Sequence, residues 1–146
     1  MTKMMRDRPY SQRRHVGGAM AEKRFMEVHH RPFERWGWND AGINVGLLPD
    51  ELRHAPDYVD IEALYECKGV GKDQLLKVKL SELAAWKWWH NIHPVTIFIW
   101  DSHKKRHLYV SLERMLHVVN KQGVTLDHFN EGKAYLAVPL EEVFGD

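Results

Sequence analysis

The stretch Pro56-Asp57-Tyr58-Val59-Asp60-Ile61-Glu62-Ala63-Leu64-Tyr65-Glu66-Cys67-Lys68-Gly69 decides how this chain is read. It splits into two short runs, PDYVDI and ALYECKG, whose β-branched and aromatic residues favour extended backbone. Residues i and i+2 of a strand share a face, so Glu66 and Lys68 project together while Tyr65 and Cys67 face away. A chain that doubles back between the runs carries Asp57 to Glu66. Two carboxylates and an ammonium then converge at one end of a sheet.

That set suits phosphodiester hydrolysis. Magnesium takes hard oxygen ligands and keeps several waters, so Asp57 and Glu66, helped by the Cys67 backbone carbonyl, are enough to hold it. Such an ion acidifies a bound water and neutralises charge on a leaving oxygen. Lys68 is placed to orient the water or to meet charge developing on the phosphate. Asp60 and Glu62, near the turn, are secondary ligand candidates. Pro49-Asp50 repeats the Pro-Asp pair, but ELRH after it is not strand-like, so Asp57 is preferred.

Outward from this segment, AMAEKRFMEVHH from Gly18 has helix-forming composition and is stopped near Pro32. NDAGINVGLLPDELRH is punctuated by glycine and proline and reads as a connection. A helix is expected from Asp73 through DQLLKVKLSELAAWKWWHN, with Leu76, Leu80, Leu83 and Ala84 on its core stripe. On that helix Trp88 falls near the stripe, while Trp86 and Trp89 lie on another face. They are read first as core packing, with a dimer contact or a base-stacking platform as the functional alternative.

VTIFIWD is the clearest buried strand. HLYVSL, a short helix LERMLHVVN capped by Ser111, and the strands GVTLDHF and KAYLAVPL follow. The order predicts an α/β fold with a mixed central β-sheet flanked by helices. Residues 1–17 read as a flexible basic arm and 18–146 as a single domain.

The chain has 146 residues, 44% hydrophobic and 28% charged, with a formal net charge of +1. The charge is uneven. Arg6, Arg8, Arg13 and Arg14 crowd the N-terminus, and His103-Lys104-Lys105-Arg106-His107 forms a basic turn. Local basic patches on a near-neutral body suit a protein that meets a polyanion, and Arg13, Arg14, Lys104, Lys105 and Arg106 are the candidate DNA-backbone contacts. One cysteine excludes an internal disulfide framework and a cysteine-rich zinc site. No apolar run is long enough to span a bilayer, and the N-terminus lacks a signal-peptide core, so a cytoplasmic setting without membrane partners is expected.

With Pro-Asp on one strand and Glu-x-Lys on the next, before a helix, the chain resembles the PD-(D/E)XK, or restriction-endonuclease-like, nuclease superfamily. That superfamily includes restriction enzymes and phage and archaeal Holliday-junction resolvases. The resemblance covers roughly residues 18–110 by order of elements. It implies a restriction-endonuclease-like core, with Asp57 and Glu66 as metal ligands and Lys68 as the catalytic lysine. Glu22 would be an accessory acid on the leading helix, and Gly37 would mark the turn into the sheet. Lys72 and Gln74 stand where members carry polar residues that help metal or phosphate. It further implies magnesium, with manganese as substitute, a DNA substrate, a homodimer, and a bacterial or phage-infected cell. The compact size, with no separate sequence-reading module, tilts the expected substrate towards branched DNA, with site-specific cutting or nicking as alternatives.

Two rivals are a nucleic-acid-binding protein that keeps the fold without catalysis, and a structural phage protein with a fortuitous motif. The ten histidines invite a metal or HNH reading. However, His29-His30, His90/His93 and His103/His107 each lack a matching second half. Cys67 is read as a small buried hydrophobe, not a nucleophile.

Overall fold

The computed structural model describes residues 10–38, 47–121, 123–130 and 132–145, with side chains from residue 18 onward. Helix α1 (Tyr10–Val28) is followed by β1 (Glu34–Arg35), a helical turn α2 (Asp50–Arg53), β2 (Tyr58–Val59) and β3 (Leu64–Val70). Then come β4 (Leu75–Lys79), α3 (Leu80–His90), β5 (Val95–Asp101), β6 (Arg106–Ser111), α4 (Leu112–Val119), β7 (Thr125–His128), β8 (Ala134–Pro139) and α5 (Leu140–Phe144). The fold is mixed α/β, as expected.

The main sheet has the order β1-β2-β3-β5-β6. Strands β3 and β5 run parallel, with Glu66 beside Ile97 and Lys68 beside Ile99. A parallel pair cannot be joined by a hairpin, and here β4 and α3 supply the crossover. The other pairings in this sheet are antiparallel. A second sheet, β4-β8-β7, takes the C-terminal strands that sequence reading assigned to one sheet.

The expected helix from Asp73 is half strand. Gln74 adopts φ 56°, a left-handed turn that a helix cannot pass through. After it LLKVK alternates, with Leu76 and Val78 buried and Leu75 and Lys77 half-buried, which is a period of two. The helix begins at Leu80, and its inward positions are Glu82, Ala85, Trp86 and Trp89. Leu80 and Ala84 are exposed instead, so the predicted stripe was rotated. The tryptophans exchange roles accordingly, with Trp86 and Trp89 buried and Trp88 46% exposed.

Helix α1 begins before Gly18, so Arg13 and Arg14 are helical in backbone, although their side chains lie outside the described residues. Gln12, Arg13 and Arg14 are compatible with a helix, which can extend without a hydrophobic stripe of its own. Arg6 and Arg8 lie outside the described residues altogether. Ser111 does cap α4, accepting from the Arg114 amide at 3.1 Å.

The two faces of the main sheet have separate cores. On one, Ala21 and Phe25 of α1 pack with Tyr58, Tyr65, Cys67, Phe98 and Trp100. On the other, Leu64, Val70, Ile97 and Ile99 meet Trp86 and Trp89 of α3 and residues of α4, β8 and α5. Cys67 thus points away from the α3 side and is buried, as expected of a small hydrophobe.

Candidate active site

The β2–β3 hairpin pairs Tyr58 with Tyr65 and Val59 with Leu64, which sets Asp57 at the end of the ladder. Asp57 is buried, its amide donates to the Tyr65 carbonyl at 2.8 Å, and its Oδ2 accepts from the Cys67 amide at 2.9 Å. The carboxylate therefore lies against β3 between Glu66 and Lys68 in chain position. Gly37 makes this possible. A Cβ there would come within 2.9 Å of the Pro56 carbonyl oxygen and 3.4 Å of the Asp57 Cα, so only glycine lets the strands close up.

Burial, then repulsion from Glu22, pushes the Asp57 carboxyl up to about 7 against the relief given by the Cys67 amide, Lys68 and Arg35. Glu66 is held well above the usual carboxylate range by burial and then by Asp57, with Lys68 opposing. Asp57 thus raises the proton affinity of Glu66 and is itself raised by Glu22, so added positive charge would favour the ionised form of both. Asp50, the alternative to Asp57, is exposed and paired with Arg53 at 2.8 Å, away from this group.

Lys68 bonds the Glu82 carboxylate, and its ammonium also lies 5.7 Å from the Trp86 ring centroid. Burial pulls its proton affinity down, but Glu82, Glu66 and Asp57 outweigh that and hold the ammonium charged. Glu82 itself is pushed up by burial and brought below its ordinary value by Lys68 and the Lys79 amide. Glu82 was not foreseen. With α3 started at Leu80 it would have stood out as the one charged residue on the buried i, i+3, i+4, i+7 stripe.

Glu22 reaches the group through its field, while its carboxylate accepts from Arg35 at 2.9 Å. Arg35 also donates to the Tyr58 hydroxyl at 3.0 Å and lies over that ring. Arg35 was likewise missed, because a lone arginine in a two-residue strand carries no pattern.

Several candidates are placed elsewhere. Asp60 takes the Glu62 and Ala63 amides, the Tyr65 hydroxyl and His29, while Glu62 pairs with Arg31 at the surface. Gln74 donates to Asp101 at 2.9 Å and does not turn to the carboxylates. Arg106 is not at a loop tip. It donates to buried Asp101 at 3.0 Å and covers the Phe144 ring at 3.9 Å, holding the β5–β6 hairpin. Lys72, Lys104 and Lys105 are exposed. His93 bonds the Asp60 carbonyl and His90 bonds Glu113, so they do not converge.

Among the described residues no group of three or more histidine, cysteine, aspartate or glutamate side chains is arranged to hold a metal. The donor chemistry of Asp57 and Glu66 still fits a hard cation. It is an all-oxygen, two-carboxylate set of the kind that magnesium completes with water, and ionising both groups together requires added positive charge.

No protein-family model matches the chain, and no curated protein matches it. Among solved structures, a nuclease from a fusselovirus is similar over 93% of this chain and 90% of that one, at 10% identity and a TM-score of 0.40. No helix among the described residues is long and apolar enough to cross a membrane.

Proposed function

We propose that this chain is a divalent-metal-dependent deoxyribonuclease, an endonuclease of the restriction-endonuclease-like kind. The observation that carries the reading is buried Asp57, its carboxylate held on the Cys67 amide, beside half-buried Glu66, whose proton affinity it raises, with a charged Lys68 following on the same strand. A purely structural strand gains nothing from packing like charges together.

Asp57 and Glu66 would hold magnesium or manganese, with the Cys67 carbonyl as a further oxygen donor. Bound there, the ion would supply Lewis acidity and an acidified water. The protein's own part is positional. Lys68, fixed by Glu82 and the Trp86 ring, presents a donor to a phosphate oxygen as charge grows on it. Burial around the pair strengthens each of these interactions. Arg35 steadies Glu22 so that its charge bears on Asp57 from outside the donor set.

DNA is the proposed partner because exposed Lys72, Lys104 and Lys105 supply positive charge outside the Asp57–Glu66 group. A homodimer cutting two strands and a preference for branched DNA complete the reading. The test is supercoiled plasmid incubated with the full chain, with magnesium, with manganese and with chelator. Metal-dependent nicking or linearisation is expected. Plasmid left intact under all three conditions, yet retarded by the protein, would leave a non-catalytic DNA-binding protein.

A further inference from the structure

Three tryptophans meet at one end of the face that carries Glu66 and Lys68. Trp89, on the last turn of α3, is 7% exposed and donates its indole N–H to the Glu51 carbonyl at 2.8 Å. Trp36 and Trp88 stand perpendicular to it. Their ring centroids are 5.5 Å and 4.9 Å from that of Trp89, with interplanar angles of 87° and 89°. Both remain open to solvent, Trp36 at 41% and Trp88 at 46%. The Trp36 amide donates to the Asp57 carbonyl at 2.8 Å, so this indole is tied to the backbone of the residue that bears the site's first carboxylate. Lys87, next to Trp88, is exposed.

On the reading of Asp57, Glu66 and Lys68 as a nuclease site, we propose that Trp36 and Trp88 stack unpaired bases of the substrate, which therefore carries a single-stranded segment beside the scissile bond. Any base offers a flat π-face, and aromatic stacking tolerates all four. In a duplex those faces are already stacked inside the helix. Rings braced against an anchored third ring lose little freedom when a base arrives. Lys87 adds charge for the backbone that follows the bases. A second copy of the chain is a poorer occupant. The two rings leave roughly 100 Å² each in solvent, against about 800 Å² per partner in a stable interface.

The test uses the full chain carrying Asp57→Asn, without metal, titrated with labelled single-stranded, flapped and blunt duplex oligonucleotides. Flapped and single-stranded DNA should bind about 10-fold or more tighter than blunt duplex. Trp36→Ala and Trp88→Ala should each remove about 10-fold of that affinity while leaving duplex binding unchanged, and the tyrosine replacements should restore most of it. Equal affinity for all three DNAs, or no effect of either alanine, would overturn the platform. So would a concentration-dependent dimer that these variants dissolve. Plasmid cleavage by the native chain separates the two readings. Cleavage with no tryptophan effect removes the platform alone, whereas base-dependent binding without metal-dependent cleavage removes the nuclease alone.

Discussion

Asp57 and Asp60 lie three residues apart in one hairpin, both buried, and their proton affinities are shifted in opposite directions. Burial raises the proton affinity of each. Around Asp60, His29, the Ala63 amide, the Tyr65 hydroxyl and the Glu62 amide outweigh it, and the carboxylate is held below its ordinary value. Around Asp57 the Cys67 amide is opposed by Glu22, and the carboxyl rises to about 7. Depth alone therefore does not make a buried acid functional. What matters is whether the fold supplies donors or like charges. Asp60 is finished as folded, tying the end of α1 to the turn, whereas Asp57 is left with its proton affinity raised, as the proposed cation site would require.

The largest separation between the two should appear in catalysis. Asp57→Asn, Glu66→Gln or Lys68→Ala should each lower plasmid cleavage by about 10²–10³-fold or more, with the far-ultraviolet spectrum unchanged. Near-native turnover in any one of them would place the chemistry elsewhere.

Asp60→Ala should do the reverse. It strips the acceptor from two amides, a hydroxyl and an imidazole, and should cost about 3 kcal/mol in denaturant unfolding. Cleavage per folded molecule should be little altered.

The pH dependence sharpens the contrast. Between about pH 4 and 7 folded Asp57 keeps a proton that the unfolded chain releases, so its contribution to stability declines as pH rises through that window. Metal-free Asp57→Asn should accordingly be more stable than the native chain at pH 8, on the order of 2 kcal/mol, with the gap closing towards pH 4. Asp60 has the opposite sign, contributing fully above the ordinary carboxylate value and losing its contribution as pH falls through its depressed one. Parallel urea titrations at the two pH values read both. A native chain more stable than Asp57→Asn at pH 8 would contradict the raised carboxyl.

The smallest effect belongs to Gly37→Ala. The added methyl meets the Pro56 carbonyl, which is backbone and cannot swing aside, so about 1 kcal/mol of stability should be lost. Because Asp57 shifts with Pro56, cleavage should drop more than stability does.

The core of the candidate site was legible as an arrangement because it is local. Strand alternation alone predicts that Glu66 and Lys68 share a face and that Cys67 is turned away, and the hairpin needed only a turn between two β-rich runs. The crossover was not legible, because LLKVK followed by LSELAAWKWWH offers apolar residues to either period. The deciding signal was the left-handed backbone at Gln74, a residue type that gives little warning of it. With α3 starting at Leu80, Glu82 turns inward and Trp86 and Trp88 exchange faces. The place of Arg106 is hidden for a different reason. Sequence shows a basic run, but not the buried Asp101 that claims one member of it.

Glu82 uses its two oxygens on different neighbours. Oε1 accepts from the Lys79 amide at 3.2 Å, one of the amides at the start of α3 that no helical carbonyl can reach, and Oε2 takes Lys68. When the first turn of α3 breathes, the lysine therefore loses its tether in the same event. Exchange of the Lys79 amide with solvent deuterium becomes a substrate-free clock for how often the ammonium is out of position. A chain with a frayed α3 would remain folded and keep its carboxylates while the proposed reactive centre lost its lysine.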